Sequence, residues 1–173
     1  MATNMADEMA TPEQRIATFL DIKDDDQSRE YYNNWAKHYD EDLTKLNYSA
    51  PDFSADLLKS LLPIEGASVL DAGCGTGWSG KALAARGYQT IDGIDYAPGM
   101  LEQAKKRGFY RLLEQADLSK PLPAYNAPYD GIVAVGTLTF DFLGTEQVDH
   151  LLPLLRSGGA FVLCTNITAW EKR

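Results

Sequence analysis

The sequence predicts an open, doubly wound α/β fold in which a mostly parallel sheet follows a helical N-terminal extension. Three observations carry this prediction. From about residue 68 onward, short apolar runs alternate with segments of helical period. A glycine-rich turn, Gly75-Thr-Gly-Trp-Ser-Gly80, comes directly after the first apolar run. Ahead of both, Tyr31, Tyr32, Trp35 and Tyr39 recur at three- and four-residue steps, which places an aromatic stripe on one helical face. Strands alternating with helices imply right-handed crossovers and parallel pairing.

Residues 1–27 predict a flexible arm. Within it, Thr11-Pro12 signals a short helix over residues 11–20. The run Asp24-Asp25-Asp26 reads as a solvated segment that charges the first turn of the next helix. That helix is predicted to run unbroken over residues 28–46, SREYYNNWAKHYDEDLTKL. Ser49-Ala-Pro51 opens an amphipathic helix, DFSADLLKSLL, which Pro63 stops. SVLDAG is the first predicted strand, and WSGKALAARG a helix closed by Gly87. YQTIDGIDY is the second strand, and APGMLEQAKKRG a helix with Pro98 near its start and Gly108 at its end. YRLLEQAD reads as the third strand, and a proline-rich loop, LSKPLPAYNAP, leads into the fourth, YDGIVAVGT. TEQVDHLLPLLRSGG predicts a helix that Pro153 kinks or stops early, and AFVLCTN the fifth strand.

The 173 residues fit one domain, with 45% apolar and 24% charged residues, enough for a sizeable core. There are 25 Asp and Glu against 16 Lys and Arg, for a net charge of −9. That balance repels phosphate backbones and anionic lipid, so neither nucleic acid nor membrane is expected as the main partner. The polar, acidic start lacks the basic residues and apolar run of a signal peptide, and no apolar segment approaches the ~18–20 residues of a membrane span. Cys74 and Cys164 form neither a disulfide framework nor a metal-spaced pair, which fits reduced thiols and a cytoplasmic setting. No metal site is expected.

The glycine turn matches the G-x-G-x-x-G pattern of dinucleotide sites, yet Asp71 stands just ahead of it. Asp71, Asp95 and Asp117 end the first three predicted strands and should converge on the crevice beyond the carboxyl ends of the sheet. Three carboxylates disfavour a diphosphate and favour a cation. S-adenosyl-L-methionine has no phosphate and carries a sulfonium and an ammonium. Asp95, 18 residues past Gly77, is placed to accept from ribose hydroxyls, a contact that would suit NAD equally. Asp71 and Asp117 decide for S-adenosylmethionine, and the glycines then serve close approach. The plainer alternative makes Asp71 a cap on the amides of the turn and Asp117 the opening of a loop.

VLDAGCGTG, the acidic strand end in GIDYAPGM, the Ala116-Asp117-Leu118 step and the LRSGG turn resemble the seven-strand class I S-adenosylmethionine-dependent methyltransferases. More narrowly, YYNNWAKHYDEDLTKLNYSAP, ARGY, MLEQAKKRGFY and KPLP resemble the methyltransferase-like proteins named after the Williams–Beuren chromosomal region. The resemblance covers residue 28 to the end and implies a Rossmann-like cofactor domain over residues 28–173. It implies that Gly73, Gly75 and Gly77, with Cys74 between them, line the methionine moiety beside Asp71. Asp95 would bind the ribose, with Tyr96 near the adenine, and Met100 is counted among the cofactor-binding residues, with ordinary core packing as its plainer reading. Asp117 and the backbone of Leu118 would meet the adenine edge, while Trp35 and Tyr39 would close over the cofactor. Simple core packing is the alternative for these two aromatics. Class I enzymes continue past the fifth strand with a helix and two further strands, which this sequence lacks. Thr168-Ala-Trp-Glu171 has capping-box spacing, so a C-terminally truncated domain is expected, with an exposed fifth-strand edge.

Methyl transfer from a sulfonium asks mainly for positioning and a dry site, with a general base only where the acceptor holds a proton of high pKa. The acceptor side should be Gly136-Thr-Leu-Thr-Phe-Asp141, which lacks the Asn/Asp-Pro-Pro-Tyr signature of base amino-group methylation. Thr137 and Asp141 are candidate acceptor contacts or loop residues. His38 stands beside Tyr39 but is not expected to reach the site, and His150 reads as a surface or packing residue. No catalytic residue is named by the sequence. The leading expectation is a methyltransferase acting on a small molecule or protein side chain. A non-catalytic S-adenosylmethionine- or S-adenosylhomocysteine-binding module and an NAD-dependent oxidoreductase are the alternatives.

Overall fold

The computed structural model describes residues 10–22, 24–137 and 145–165. Four helices come first: α1 (Pro12–Asp21), α2 (Asp25–Trp35), α3 (Tyr39–Lys45) and α4 (Ala50–Leu61). Then β1 (Ser68–Ala72), α5 (Trp78–Ala85), β2 (Thr90–Asp95), α6 (Pro98–Arg107) and β3 (Leu112–Gln115) alternate. β4 (Tyr129–Val135), α7 (Thr145–Leu151), a 3-10 turn (Leu152–Leu154) and β5 (Leu155–Cys164) complete the described chain. The strands make one parallel sheet in the order β3-β2-β1-β4-β5. The order reverses beside β1, and this switch point is where a crevice opens at the carboxyl ends of the strands.

Helices cover both faces of the sheet, so the central strands are apolar on both sides. On one face, Ala55, Leu58 and Leu62 from α4 and its end, with Ala82 and Leu83 of α5, pack on Val69, Ile91 and Val133. On the other, Leu118, Leu151 and Leu154 pack on Leu70, Ile94 and Ile132. A wholly buried leucine such as Leu58 contributes about 1.5–3 kcal/mol. The helix-to-sheet distance is set in part by Gly80. A Cβ there would lie 2.4 Å from Cζ of Tyr110, so only glycine lets α5 rest on that ring. The last glycine of the fingerprint is therefore a packing residue.

The amino ends of the strands are tied by a buried carboxylate. Asp92 accepts from Nε and Nη2 of Arg111 at 2.8 and 2.6 Å, from Nδ2 of Asn126 at 2.9 Å and from the Tyr129 hydroxyl at 2.8 Å. These partners stand at or just before the starts of β3 and β4, so β2 is locked to its surroundings at that end.

Three local expectations are corrected. The helix expected over residues 28–46 breaks at 36–38 into α2 and α3. In one straight helix Trp35 and Asp42 would stand ~10 Å apart along the axis, at ~1.5 Å per residue. The break lets the Trp35 indole donate to Oδ2 of Asp42 at 2.7 Å. The third strand is shorter than YRLLEQAD, because Tyr110 turns inward to meet α5 and β1. Near the end, Pro153 stops α7 as expected, but β5 starts at Leu155. It then carries a bulge that absorbs RSGG, since Tyr129 pairs with Leu155 and Gly131 with Ala160.

Within the expected N-terminal arm, α1 forms with a full capping box. The Thr11 hydroxyl accepts from Gln14 N, and Gln14 Oε1 accepts from Thr11 N. It docks through Arg15, whose Nη1 donates to both oxygens of Asp42, and whose carbonyl accepts from the Tyr31 hydroxyl at 2.8 Å. The Thr168–Glu171 capping signal and Asp141 lie outside the described residues.

Candidate functional site

The crevice at the switch point is lined from below by the ends of four strands: Gly73 and Gly75 after β1, Asp95 and Tyr96 at β2, Asp117 and Leu118 after β3, and Val135 to Thr137 at β4. Ala97 and Met100 at the start of α6 wall one side. Phe19 of α1, Ser28, Arg29 and Tyr32 of α2, and Tyr39 of α3 form the cover. The rings of the cover pack on one another, with Phe19 and Tyr32 centroids 4.9 Å apart and Trp35 edge-on to Tyr39 at 4.8 Å.

Eight of the expected residues thus meet at one cavity: Tyr39, Gly73, Gly75, Asp95, Tyr96, Met100, Asp117 and Leu118. Trp35, Asp71, Cys74 and Gly77 are not on its lining. Trp35 is buried and turned to Asp42. Gly77 sits behind the turn, where a Cβ would meet Arg107 Cδ and Tyr110 at 3.1 Å. Cys74 is buried, and burial together with the charges of Asp95 and Asp71 pushes its thiol well up. Phe19, Ser28, Arg29 and Ala97 were not singled out from sequence. Tyr32 was visible there as part of the aromatic stripe.

The glycine turn is closed by its own amides. Gly73 N and Cys74 N donate to the carbonyl of Ile94, Gly75 N to Oδ2 of Asp95, and Gly77 N to the carbonyl of Cys74. These groups are spent inside the protein and do not form a phosphate cradle. Gly73 has φ +74, and an added Cβ would fall 2.2 Å from Cγ2 and Oγ1 of Thr137. The Thr137 hydroxyl donates to the Gly73 carbonyl at 3.1 Å, so Thr137 both touches the turn and lines the cavity.

The three carboxylates differ. Asp95 caps Gly75 N and Ala97 N through opposite oxygens, at 2.8 and 2.9 Å, while burial raises its pKa against those bonds. Asp117 receives Ser119 N and Oγ on one oxygen and Lys120 on the other. Burial would raise it, but these donors hold it below the usual range. Asp117 therefore opens a loop and lines the cavity at once. Asp71 is wholly buried under the turn, taking the Tyr110 hydroxyl on Oδ2 at 2.7 Å, and its Oδ1 has no hydrogen-bond partner. The amide cap that the plainer alternative gives to Asp71 is made by Asp95.

Burial first, with the charge of Asp95 adding and the Tyr110 hydroxyl opposing, pushes the Asp71 carboxyl up to about 7. A folded pKa above the unfolded value means that the folded chain holds the extra proton between about pH 4 and 7. Stability from this group therefore falls as pH rises through that window, by up to ~1.4 kcal/mol per unit, and levels off above it. Urea unfolding of the wild type and Asp71→Asn at pH 5 and pH 8 should show the variant gaining on the wild type at the higher pH. A constant difference would remove the proton from Asp71.

The phenols of Tyr32 and Tyr39 are raised, mainly by burial and further by neighbouring phenols and Asp95, and Tyr48 is pushed up to about 12. Tyr32 and Tyr39 cover the site as neutral hydroxyls. Arg29 is the one cation on the described lining. It lies 5.0 Å from the Tyr96 ring centre and pairs with Asp26 at 3.1 Å. His150 is not on the lining but touches its back, its Nδ1 3.0 Å from the carbonyl of Leu118.

A parallel 3-2-1-4-5 sheet with a carboxylate-flanked glycine turn at its switch point defines a Rossmann-like cofactor-binding domain of the class I methyltransferase type. Residues 69–159 match the family described as methyltransferase domain, and the chain belongs to that family. It is similar to methyltransferase-like protein 27 of Homo sapiens, 35% identical over 154 residues that make up 87% of this chain and 62% of that protein. Among solved structures it resembles a TehB-like SAM-dependent methyltransferase of Corynebacterium glutamicum, with TM-score 0.61 and 26% identity, over 78% of this chain and 72% of that one. A putative S-adenosyl-L-methionine-dependent methyltransferase of Methanococcus maripaludis shares the fold, with TM-score 0.62 and 23% identity over 81% and 68% of the two chains. The chain spans less than two thirds of the length of the curated relatives it matches first. No described helix is long and apolar enough to cross a membrane.

Proposed function

We propose that this chain binds S-adenosylmethionine at the switch-point cavity and transfers its methyl group to a small-molecule or protein acceptor. The observation that carries this reading is the glycine turn: the amides of Gly73, Cys74, Gly75 and Gly77 are consumed by Ile94, Asp95 and Cys74, and carboxylates surround it. Such a turn admits a close, phosphate-free ligand and favours a cationic one. The cofactor supplies a methyl group already activated by its sulfonium charge.

The protein's own part is to hold, orient and dry. In this reading Gly73 and Gly75 allow close approach of the methionine portion, and Asp95 accepts from the ribose hydroxyls. Tyr96 and Met100 flank the adenine, with Asp117 and Leu118 at its edge. Tyr39 excludes water from above. Asp71, with its free oxygen buried beneath the turn, supplies negative potential toward the bound cation once it has lost its proton, above about pH 7. Trp35, Cys74 and Gly77 support from behind. The cofactor-binding domain is taken as residues 28–173, with α1 as an added cover. A cytoplasmic setting is supported by the acidic balance and two free cysteines.

Calorimetric titration with S-adenosylmethionine and S-adenosylhomocysteine, with NAD as control, tests the reading. One-site saturable binding of the first two and none of NAD is expected. A folded chain that takes up neither sulfur ligand overturns it.

A further inference from the structure

Tyr39 and Asp40 are adjacent at the start of α3, yet they serve opposite sides of the cavity wall. Tyr39 lines the cavity. Asp40 grips the outside of the glycine turn. Its Oδ1 accepts from the Thr76 hydroxyl at 2.6 Å and from the Trp78 indole at 2.8 Å, and its Oδ2 accepts from Nη2 of Arg107. Arg107 closes the ring, because its Nε donates to the Thr76 carbonyl at 2.7 Å. One carboxylate thus joins α3, the turn, the first residue of α5 and the last residue of α6.

Thr76 is the place where such a grip can act. Gly75 and Gly77 on either side have φ of +52 and +91, and neither offers a side chain to restrain the backbone. Thr76 is buried, and both its hydroxyl and its carbonyl are held, the first by Asp40 and the second by Arg107. We propose that Asp40 is a positioning residue for cofactor binding: through Thr76, Trp78 and Arg107 it fixes the glycine turn at a set distance from Tyr39. This inference rests on the cavity being the S-adenosylmethionine site.

A grip of this kind has a distinctive signature. The Asp40 side chain is 44% exposed, so its ion pair adds little to global stability. Its effect falls instead on preorganisation of the site, which appears as affinity. In the full chain, Asp40→Asn preserves the side-chain volume and removes the charge. It should weaken S-adenosylhomocysteine binding about tenfold in calorimetry, while the thermal midpoint moves by about 2 °C or less. Arg107→Gln should give a similar loss, and the double variant should be little worse than either single one, because both act through Thr76. Faster amide exchange across residues 75–78 in ligand-free Asp40→Asn should accompany the loss. Binding within about twofold of wild type, or single losses that add in full, would overturn the proposal. So would a falling midpoint with unchanged affinity of the folded protein, since that marks a purely structural residue. A wild-type chain that binds no sulfur ligand overturns the cofactor reading itself, and amide exchange at the turn still reports whether Asp40 holds it.

Discussion

Replacing Asp42 by alanine should lower the free energy of unfolding by about 3–5 kcal/mol. Asp42 and Arg15 form an ion pair whose side chains are only 3% and 6% exposed, and Asp42 also accepts the Trp35 indole. Removing the carboxylate takes from the buried guanidinium the charge that Asp42 supplies and leaves a buried indole N–H without its acceptor, and both losses are costly in a dry interior. The loss reaches three elements at once, because Arg15 belongs to α1, Trp35 to α2 and Asp42 to α3. Urea denaturation followed by tryptophan fluorescence checks it. A loss below about 1 kcal/mol would mean that the pair behaves as an exposed one.

Asp95→Ala should weaken S-adenosylhomocysteine binding by about 100-fold or more. In the proposed reading the carboxylate accepts from two ribose hydroxyls, and hydrogen bonds to a charged group contribute about 1.5–3 kcal/mol each. The same substitution frees Gly75 N and Ala97 N, which Asp95 now caps, so the turn also loses its tie to β2. Calorimetry on the folded variant reads the effect. Retention of affinity within about fivefold would move the ribose away from the end of β2.

Much of the fold was legible because its signals are local. The strand-turn-helix order from β1 to β3 follows from apolar runs punctuated by Gly77, Gly87, Pro98 and Gly108, and each sits at or next to a helix end. The break between α2 and α3 was not legible. It depends on Trp35 and Asp42 finding Arg15, 27 residues from Asp42, and no periodicity within the helix records that contact. The site divides in the same way. Asp95, Asp117 and the first glycines stand at strand ends, which the sequence marks directly. Gly77 and Asp71 matched the pattern equally well, but Arg107 and Tyr110, supplied by distant sequence, turn them toward the packed back of the turn. Nothing in the sequence sets Asp40 apart from Glu41 and Asp42 beside it, and only the arrival of Thr76 and Arg107 gives it a task.

The knot that Arg111, Asn126 and Tyr129 tie around the buried Asp92 carboxylate bears on how such a chain can change over generations. It sits where the strands begin, away from the cavity, and holds the sheet together without help from the ligand end. Substitutions at the mouth, among Ser28, Arg29, Thr137 and the cover, therefore act on a scaffold that stays assembled. Variation there can be tried and kept for what it admits to the cavity, with the frame carried along intact.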